Sequence, residues 1–232
     1  DVGEVSVFVN EDQLQRIKDH VSKKGYLEGK HMGDMFSMMR ENDLIWSFVV
    51  NNYLMGKDPM PFDMLYWNSD STRLPAEMLV YYLENFYLKN LLVTPGGIEL
   101  DGVPLDLGEI KTPLYSVATR DDHIAPWISC YPLTQVTGGP VQFVLGGSGH
   151  IAGIINQPAR NKYGYWTNAK SPKDPDSWLA GAKAHEGSWW PDWEKWLRKK
   201  SGAKVDAREP GEGDLKVIED APGSYVKARN PE

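Results

Sequence analysis

The chain has 232 residues, of which 41% are hydrophobic and 25% charged, with a formal net charge of −7. This length suits one domain of ordinary size, and the acidic balance argues against nonspecific nucleic-acid binding, which needs a basic face. No apolar run approaches the roughly 20 residues of a membrane-spanning helix, and no secretory signal opens the chain. A single cysteine, Cys130, allows no internal disulfide and fits a reducing cytosol. The five histidines lack the mutual spacing of metal ligands, so no metal site is expected.

Residues 1–96 read as mostly helical. Asp12 to Lys24 places Leu14, Ile17 and Val21 on one face and stops at Gly25. Met32, Met35, Phe36 and Met39 repeat at helical spacing. A third helix runs from Leu44 to Met55, and Pro59 and Pro61 interrupt the stretch after it. Pro75 suits the first turn of a long helix reaching about Leu91. Gly96-Gly97 then breaks the pattern.

Residues 97–200 change character. Short β-type segments fall at Ile98–Leu100 and Val103–Leu105, and stronger ones at Pro113–Ala118 and Val141–Leu145. A helix from Trp127 to about Val136 between the last two completes one β-α-β unit, the repeating piece of a parallel sheet. Helical stretches follow near Ser177–His185 and Trp190–Lys200. Six of the nine tryptophans lie between Trp166 and Trp196 and read as a cluster packing these helices onto the sheet. Residues 201–232 are charged, carry Pro and Gly, and read as an extended tail. Two parallel strands cannot bury both faces of a sheet. The missing strands are expected in a preceding segment, as the start at Asp1 rather than Met also suggests.

The two loops after the strong strands carry the chemistry. One is Arg120-Asp121-Asp122-His123-Ile124-Ala125-Pro126-Trp127, and the other is Gly146-Gly147-Ser148-Gly149-His150-Ile151-Ala152-Gly153. Loops at the carboxyl ends of parallel strands form the ligand crevice of such sheets. An acid followed by a histidine on successive strands is the closing half of a triad ordered nucleophile, acid, histidine. The carboxylate would fix the tautomer of His150, and the free nitrogen would deprotonate a nucleophile. Spacing alone leaves either Asp121 or Asp122 as the acid, and also leaves a helix-capping aspartate and a solvated histidine as plain alternatives.

These segments resemble polyhydroxyalkanoate synthases, most closely the short-chain, single-subunit class I type. The resemblance covers about Val5 to Asn230. It includes Arg40-Glu41-Asn42-Asp43-Leu44-Ile45-Trp46, Pro61-Phe62-Asp63-Met64-Leu65-Tyr66-Trp67-Asn68, both loops, Gly187-Ser188-Trp189-Trp190-Pro191-Asp192-Trp193 and Ala221-Pro222-Gly223-Ser224-Tyr225-Val226-Lys227-Ala228. It implies the carboxyl-terminal part of an α/β-hydrolase fold: a helical cap over residues 1–96, the last part of the parallel-sheet core at 97–200, and a tail at 201–232. It implies an acyltransferase that polymerises (R)-3-hydroxyacyl-CoA with release of coenzyme A, works as a homodimer, and sits in the cytoplasm and on polymer granules.

On this resemblance the acid is Asp122, the base is His150, and Arg40, Asn90 and His123 match positions near the substrate. A guanidinium such as that of Arg40 can fork onto a phosphate, and His123 serves either substrate contact or loop packing. No metal or resident cofactor is implied; the coenzyme A thioester is substrate. The family's nucleophilic cysteine sits in a Gly-x-Cys-x-Gly turn that this chain lacks, so the chain alone is expected to be inactive. Cys130 follows the acid within an expected helix and reads as a small buried apolar residue. An esterase or depolymerase with an upstream serine, and a non-catalytic granule-binding or dimerisation fragment, are the alternatives.

Overall fold

The computed structural model describes residues 9–39, 41–59 and 71–228. It divides into two compact units. One comprises the chain through Gly25 together with Pro75–Ser201, and the other Tyr26–Leu74 together with Gly202–Glu232. The unit boundaries fall at Gly25, Leu74 and Ser201.

In the first unit, helix α1 spans Glu11–Lys24. The Asn10 side chain accepts the Gln13 N–H at 2.9 Å, and Gly25 closes the helix at φ 83°. Leu14 and Val21 are buried, as the apolar spacing predicts. Pro75 precedes helix α2, Ala76–Tyr82, which continues as a π-helical turn through Leu88. The widened turn and the stop at Leu88 differ from the single helix expected to about Leu91. Strands β1, Glu99–Leu100, and β2, Val103–Pro104, then form a tight antiparallel hairpin.

Strands β3, Leu114–Thr119, and β4, Val141–Gly146, pair in parallel over six residues, from Leu114 opposite Val141 to Thr119 opposite Gly146. Two short strands that the sequence pattern does not predict extend the sheet. Strand β5, Tyr165–Thr167, is antiparallel to β4, and β6, Lys183–His185, is antiparallel to β5. The sheet order is therefore β3-β4-β5-β6, and the sheet is mixed rather than parallel throughout. The helix expected over Ser177–His185 is Pro175–Ala180 only (α5), because the chain past Gly181 enters β6.

The crossover between β3 and β4 also departs from expectation. It is two short helices, α3 at Trp127–Cys130 and α4 at Leu133–Val136. Pro132 separates them: it has no N–H to give the preceding turn, and its ring crowds that turn's carbonyl.

Both faces of the sheet are covered, by different chemistry. Ala118, Phe143 and Leu145 pack with Trp127 and Tyr131 from the crossover and with Trp178 of α5, all buried. The Phe143 and Trp178 rings meet edge-on at 5.0 Å between centroids, and Phe143 and Tyr131 at 5.1 Å, the geometry aromatic quadrupoles favour. On the opposite face lies helix α6, Trp190–Arg198. Asp192 Oδ2 accepts hydrogen bonds from Tyr115 Oη on β3 and Gln142 Nε2 on β4, each at 2.8 Å. Tyr115 also packs against the rings of Trp189 and Trp196. The tryptophans thus pack the last helices onto the sheet.

In the second unit, Gly29–Met39 is helical, and the helix expected at Leu44–Met55 appears as π-helical turns at Asn42–Trp46 and Val49–Leu54. Arg40 and the Pro61–Asn68 motif lie outside the described residues, as do the side chains of Met35, Phe36 and Met39. No described helix is long and apolar enough to cross a membrane.

Phe143 is 1% exposed at the centre of the aromatic face. Phe143→Ala is expected to destabilise the chain by about 3–5 kcal/mol, read as a lower urea midpoint with unchanged slope.

Candidate active site

The parallel pairing of β3 and β4 brings their carboxyl ends side by side, and backbone bonds continue past the strands. Arg120 N–H donates to Gly146 O at 2.8 Å, and Asp121 N–H donates to Ser148 O at 3.0 Å. Ser148 is held at φ 70°, a left-handed conformation that non-glycine residues seldom adopt. The two loops singled out in the sequence are therefore stitched into one ledge.

On this ledge His150 Nδ1 lies 2.8 Å from Asp122 Oδ2. The other carboxylate oxygen of Asp122 accepts the N–H groups of Ile124 and Ala125, each at 2.9 Å. Thr119 Oγ1, at the end of β3, lies 3.4 Å from Asp122 Oδ2. The Asp122 side chain is only 8% exposed, whereas the His150 ring is 45% exposed. Burial works to raise the Asp122 pKa. Hydrogen bonds from Ala125, His150 and Ile124, with the charge of His150, outweigh it and hold the carboxyl below its usual range. An ionised carboxylate has no proton to give, so Nδ1 must be the donor. In neutral His150 that tautomer leaves Nε2 unprotonated, with a lone pair for a proton from another group. The same two-loop ledge thus brings together an imidazole and the carboxylate that accepts its Nδ1 proton.

Asp121 differs from its neighbour. Its side chain is 58% exposed and pairs with Arg120 at 3.4 Å. Of the two aspartates that spacing left open, Asp122 is the one bonded to His150. His123 is exposed on the same loop. Asn90 lies past the π-helical turn ending at Leu88, half-buried at φ 48°. A left-handed position of this kind favours asparagine on backbone grounds alone. Arg40, outside the described residues, is not placed. Cys130 closes α3 half-buried, its Sγ 3.6 Å from Ala125 O. Burial and the Asp122 charge raise its thiol pKa, the reverse of what a nucleophilic cysteine needs.

The residues that hold the His150 loop have no signature in the sequence pattern. The loop turns helically, with Gly153 N–H donating to Gly149 O at 2.9 Å. A Cβ at Gly153 would fall 2.3 Å from Thr119 Cγ2 and 2.6 Å from Gly147 O, so no larger residue fits unshifted. The Trp189 and Trp190 indoles donate to Gly153 O and Ile154 O at 3.0 and 2.9 Å. The glycines signal a tight turn in the sequence; nothing there says which side chains brace it. Among the described residues no group of three or more His, Cys, Asp or Glu is arranged to hold a metal ion.

Two outcomes are expected. Gly153→Ala should displace the His150 turn from Thr119 and lower the thermal midpoint by several degrees, since overpacking costs about 1–3 kcal/mol. The lowered Asp122 pKa stabilises the folded state above about pH 4, the ordinary carboxylate value, and that contribution vanishes as pH falls through the lowered value. Asp122→Asn should therefore flatten the acid limb of stability, measured as urea midpoints from pH 6 down to pH 2.

No protein-family model matches the chain. Its curated relatives are polymerases. It is 49% identical over 227 residues to the poly(3-hydroxyalkanoate) polymerase subunit PhaC of Rhizobium meliloti, covering 98% of this chain and 37% of the relative. It is 46% identical over 236 residues to the PhaC of Cupriavidus necator, covering 99% of this chain and 40% of the relative. Poly(3-hydroxyalkanoate) polymerase 1 of Ectopseudomonas oleovorans is 42% identical over 228 residues, covering 98% and 41%. The chain matches these curated relatives over nearly its whole length and spans about two fifths of theirs.

Proposed function

We propose that this chain supplies the acid–base half of an acyltransferase that polymerises (R)-3-hydroxyacyl-CoA into polyhydroxyalkanoate. The observation that carries the reading is the 2.8 Å bond between His150 Nδ1 and the nearly enclosed Asp122 carboxyl, in a chain homologous to named polymerases. His150 Nε2 takes the proton of a cysteine thiol contributed from outside this chain. The thiolate attacks the thioester carbonyl of the substrate, and coenzyme A leaves as its thiol, carrying the proton returned by the imidazolium. His150 next deprotonates the 3-hydroxyl of a second acyl unit. That oxygen attacks the enzyme-bound thioester, an ester bond forms, and the cysteine sulfur is released. Asp122 holds the tautomer and stabilises the imidazolium in both half-reactions.

In this reading the fold is an α/β-hydrolase whose earlier strands and nucleophile turn lie outside the chain. Residues 1–96 form a helical cap insertion, 97–200 the last part of the core, and 201–232 a tail. Arg40 grips a coenzyme A phosphate, and Asn90 and His123 contact substrate. The enzyme needs no resident cofactor, acts as a homodimer, and works in the cytoplasm at the polymer granule. The raised pKa of Cys130 and its seat at the end of a short helix support a nucleophile other than this residue.

The isolated chain is expected to release no coenzyme A from 3-hydroxybutyryl-CoA. Replacing the corresponding stretch of the Rhizobium meliloti relative with this chain should restore release. In that chimera Asp122→Asn should cut the rate by about 10²–10⁴-fold, and His150→Ala by at least as much. Release by the isolated chain that Cys130→Ala abolishes would overturn the proposal.

A further inference from the structure

Between Gly187 and Trp193 the chain makes directional bonds to the His150 loop and its strands that packing alone does not require. Ser188 is 7% exposed, and its Oγ accepts the Trp190 N–H at 3.1 Å, at the start of α6. Asp192, farther along the same turn, is held by Tyr115 and Gln142, on the two strands whose ends carry Asp122 and His150. From this fixed helix start, the Trp189 and Trp190 indoles reach two consecutive carbonyls, Gly153 O and Ile154 O. Those carbonyls end the turn that carries His150, in which Gly153 N–H and Ile155 N–H donate back to Gly149 O and Ile151 O. Carbonyls at the end of a helical turn keep acceptor capacity that the turn does not fill; Ile154 O takes the Asn156 N–H at 3.0 Å, and each of the two carbonyls is also met by an indole donor from a braced element.

We infer that Trp189 and Trp190 are positioning residues for His150: their N–H groups fix the turn so that Nδ1 meets Asp122. Neither indole needs to touch substrate. The inference rests on the reading of Asp122 and His150 as orienter and base, and goes beyond it by assigning what holds the base in place. Misplacing a catalytic group by an ångström is enough to cost about 10²-fold in rate.

The test separates the N–H from the ring. In the 232-residue chain, Trp189 and Trp190 are replaced together by Phe, or each by benzothienylalanine, which keeps the indole shape with sulfur in place of the N–H. The ring ¹⁵N shifts of His150 then report its tautomer. The wild type should show Nδ1 protonated. The double Phe variant and each benzothienylalanine variant should shift toward the Nε2-protonated form, while Trp193→Phe, in the same motif but exposed, should not. In the chimeric polymerase the donor-free variants should lose about 10–10²-fold in kcat with KM little changed. An unchanged tautomer in the benzothienylalanine variants overturns the inference and leaves the proposed function standing. A wild-type chain with Nε2 protonated overturns both.

Discussion

The parallel pairing of Leu114–Thr119 with Val141–Gly146 places Asp122 and His150. Its six-residue register sets Thr119 opposite Gly146, so the two strands end together and their loops leave side by side. A slip of one residue would turn each side chain to the opposite face and separate the loops. Two backbone bonds beyond the strands, from Arg120 to Gly146 and from Asp121 to Ser148, carry the pairing into the loops. Asp122 and His150 therefore meet although 28 residues separate them. Neither loop needs to be long or well ordered on its own account, because the ladder beneath has already fixed their origins.

The pair is also asymmetric in its solvation. The carboxylate is nearly enclosed and the imidazole half open. An enclosed carboxylate without partners would take up a proton. Two backbone N–H groups and the imidazole keep it charged instead, at fixed positions that cost no reorganisation when charge develops nearby. The open imidazole keeps one nitrogen accessible. Exchanging these environments, an exposed acid and a buried histidine, would weaken the orientation and hide the base.

Much of this is legible in the sequence, and the failures have physical reasons. A composition rich in β-formers marks β3 and β4 nearly to the residue, and Gly25 ends α1 where the sequence places its stop, while the helix starts at Glu11 behind an Asn10 cap, one residue before the expected Asp12. Strands β5 and β6, three residues each, are too short for a period of two to register, and Lys183-Ala184-His185 has no β-forming composition. The helix expected over Trp127–Val136 runs through Pro132, a breaker visible in the sequence. The choice between Asp121 and Asp122 cannot be made from spacing, because adjacent residues differ only in which way the loop turns them. The brace on His150 is invisible for another reason: it joins Trp189 to Gly153 and Trp190 to Ile154, each 36 residues apart in the chain, and no local pattern encodes such a pair.

The two faces of the sheet divide the labour between stability and geometry. The face against Trp127, Tyr131, Phe143 and Trp178 is apolar, and its attraction is non-directional and proportional to area. It can hold the sheet together but cannot dictate where a loop atom sits. The face against α6 adds directional bonds to its aromatic contacts: a carboxylate shared between Tyr115 and Gln142, and indole donors aimed at single carbonyls. The indole bonds contribute only about 0.5–1.5 kcal/mol each in net stability and those to the carboxylate about 1.5–3, yet all of them fix direction as well as distance. Substitutions on the aromatic face should therefore change how much protein is folded while leaving the folded site intact. Substitutions at the start of α6 should leave most of the protein folded and shift the site within it. The directional contacts are concentrated on the side where the His150 loop returns to the sheet.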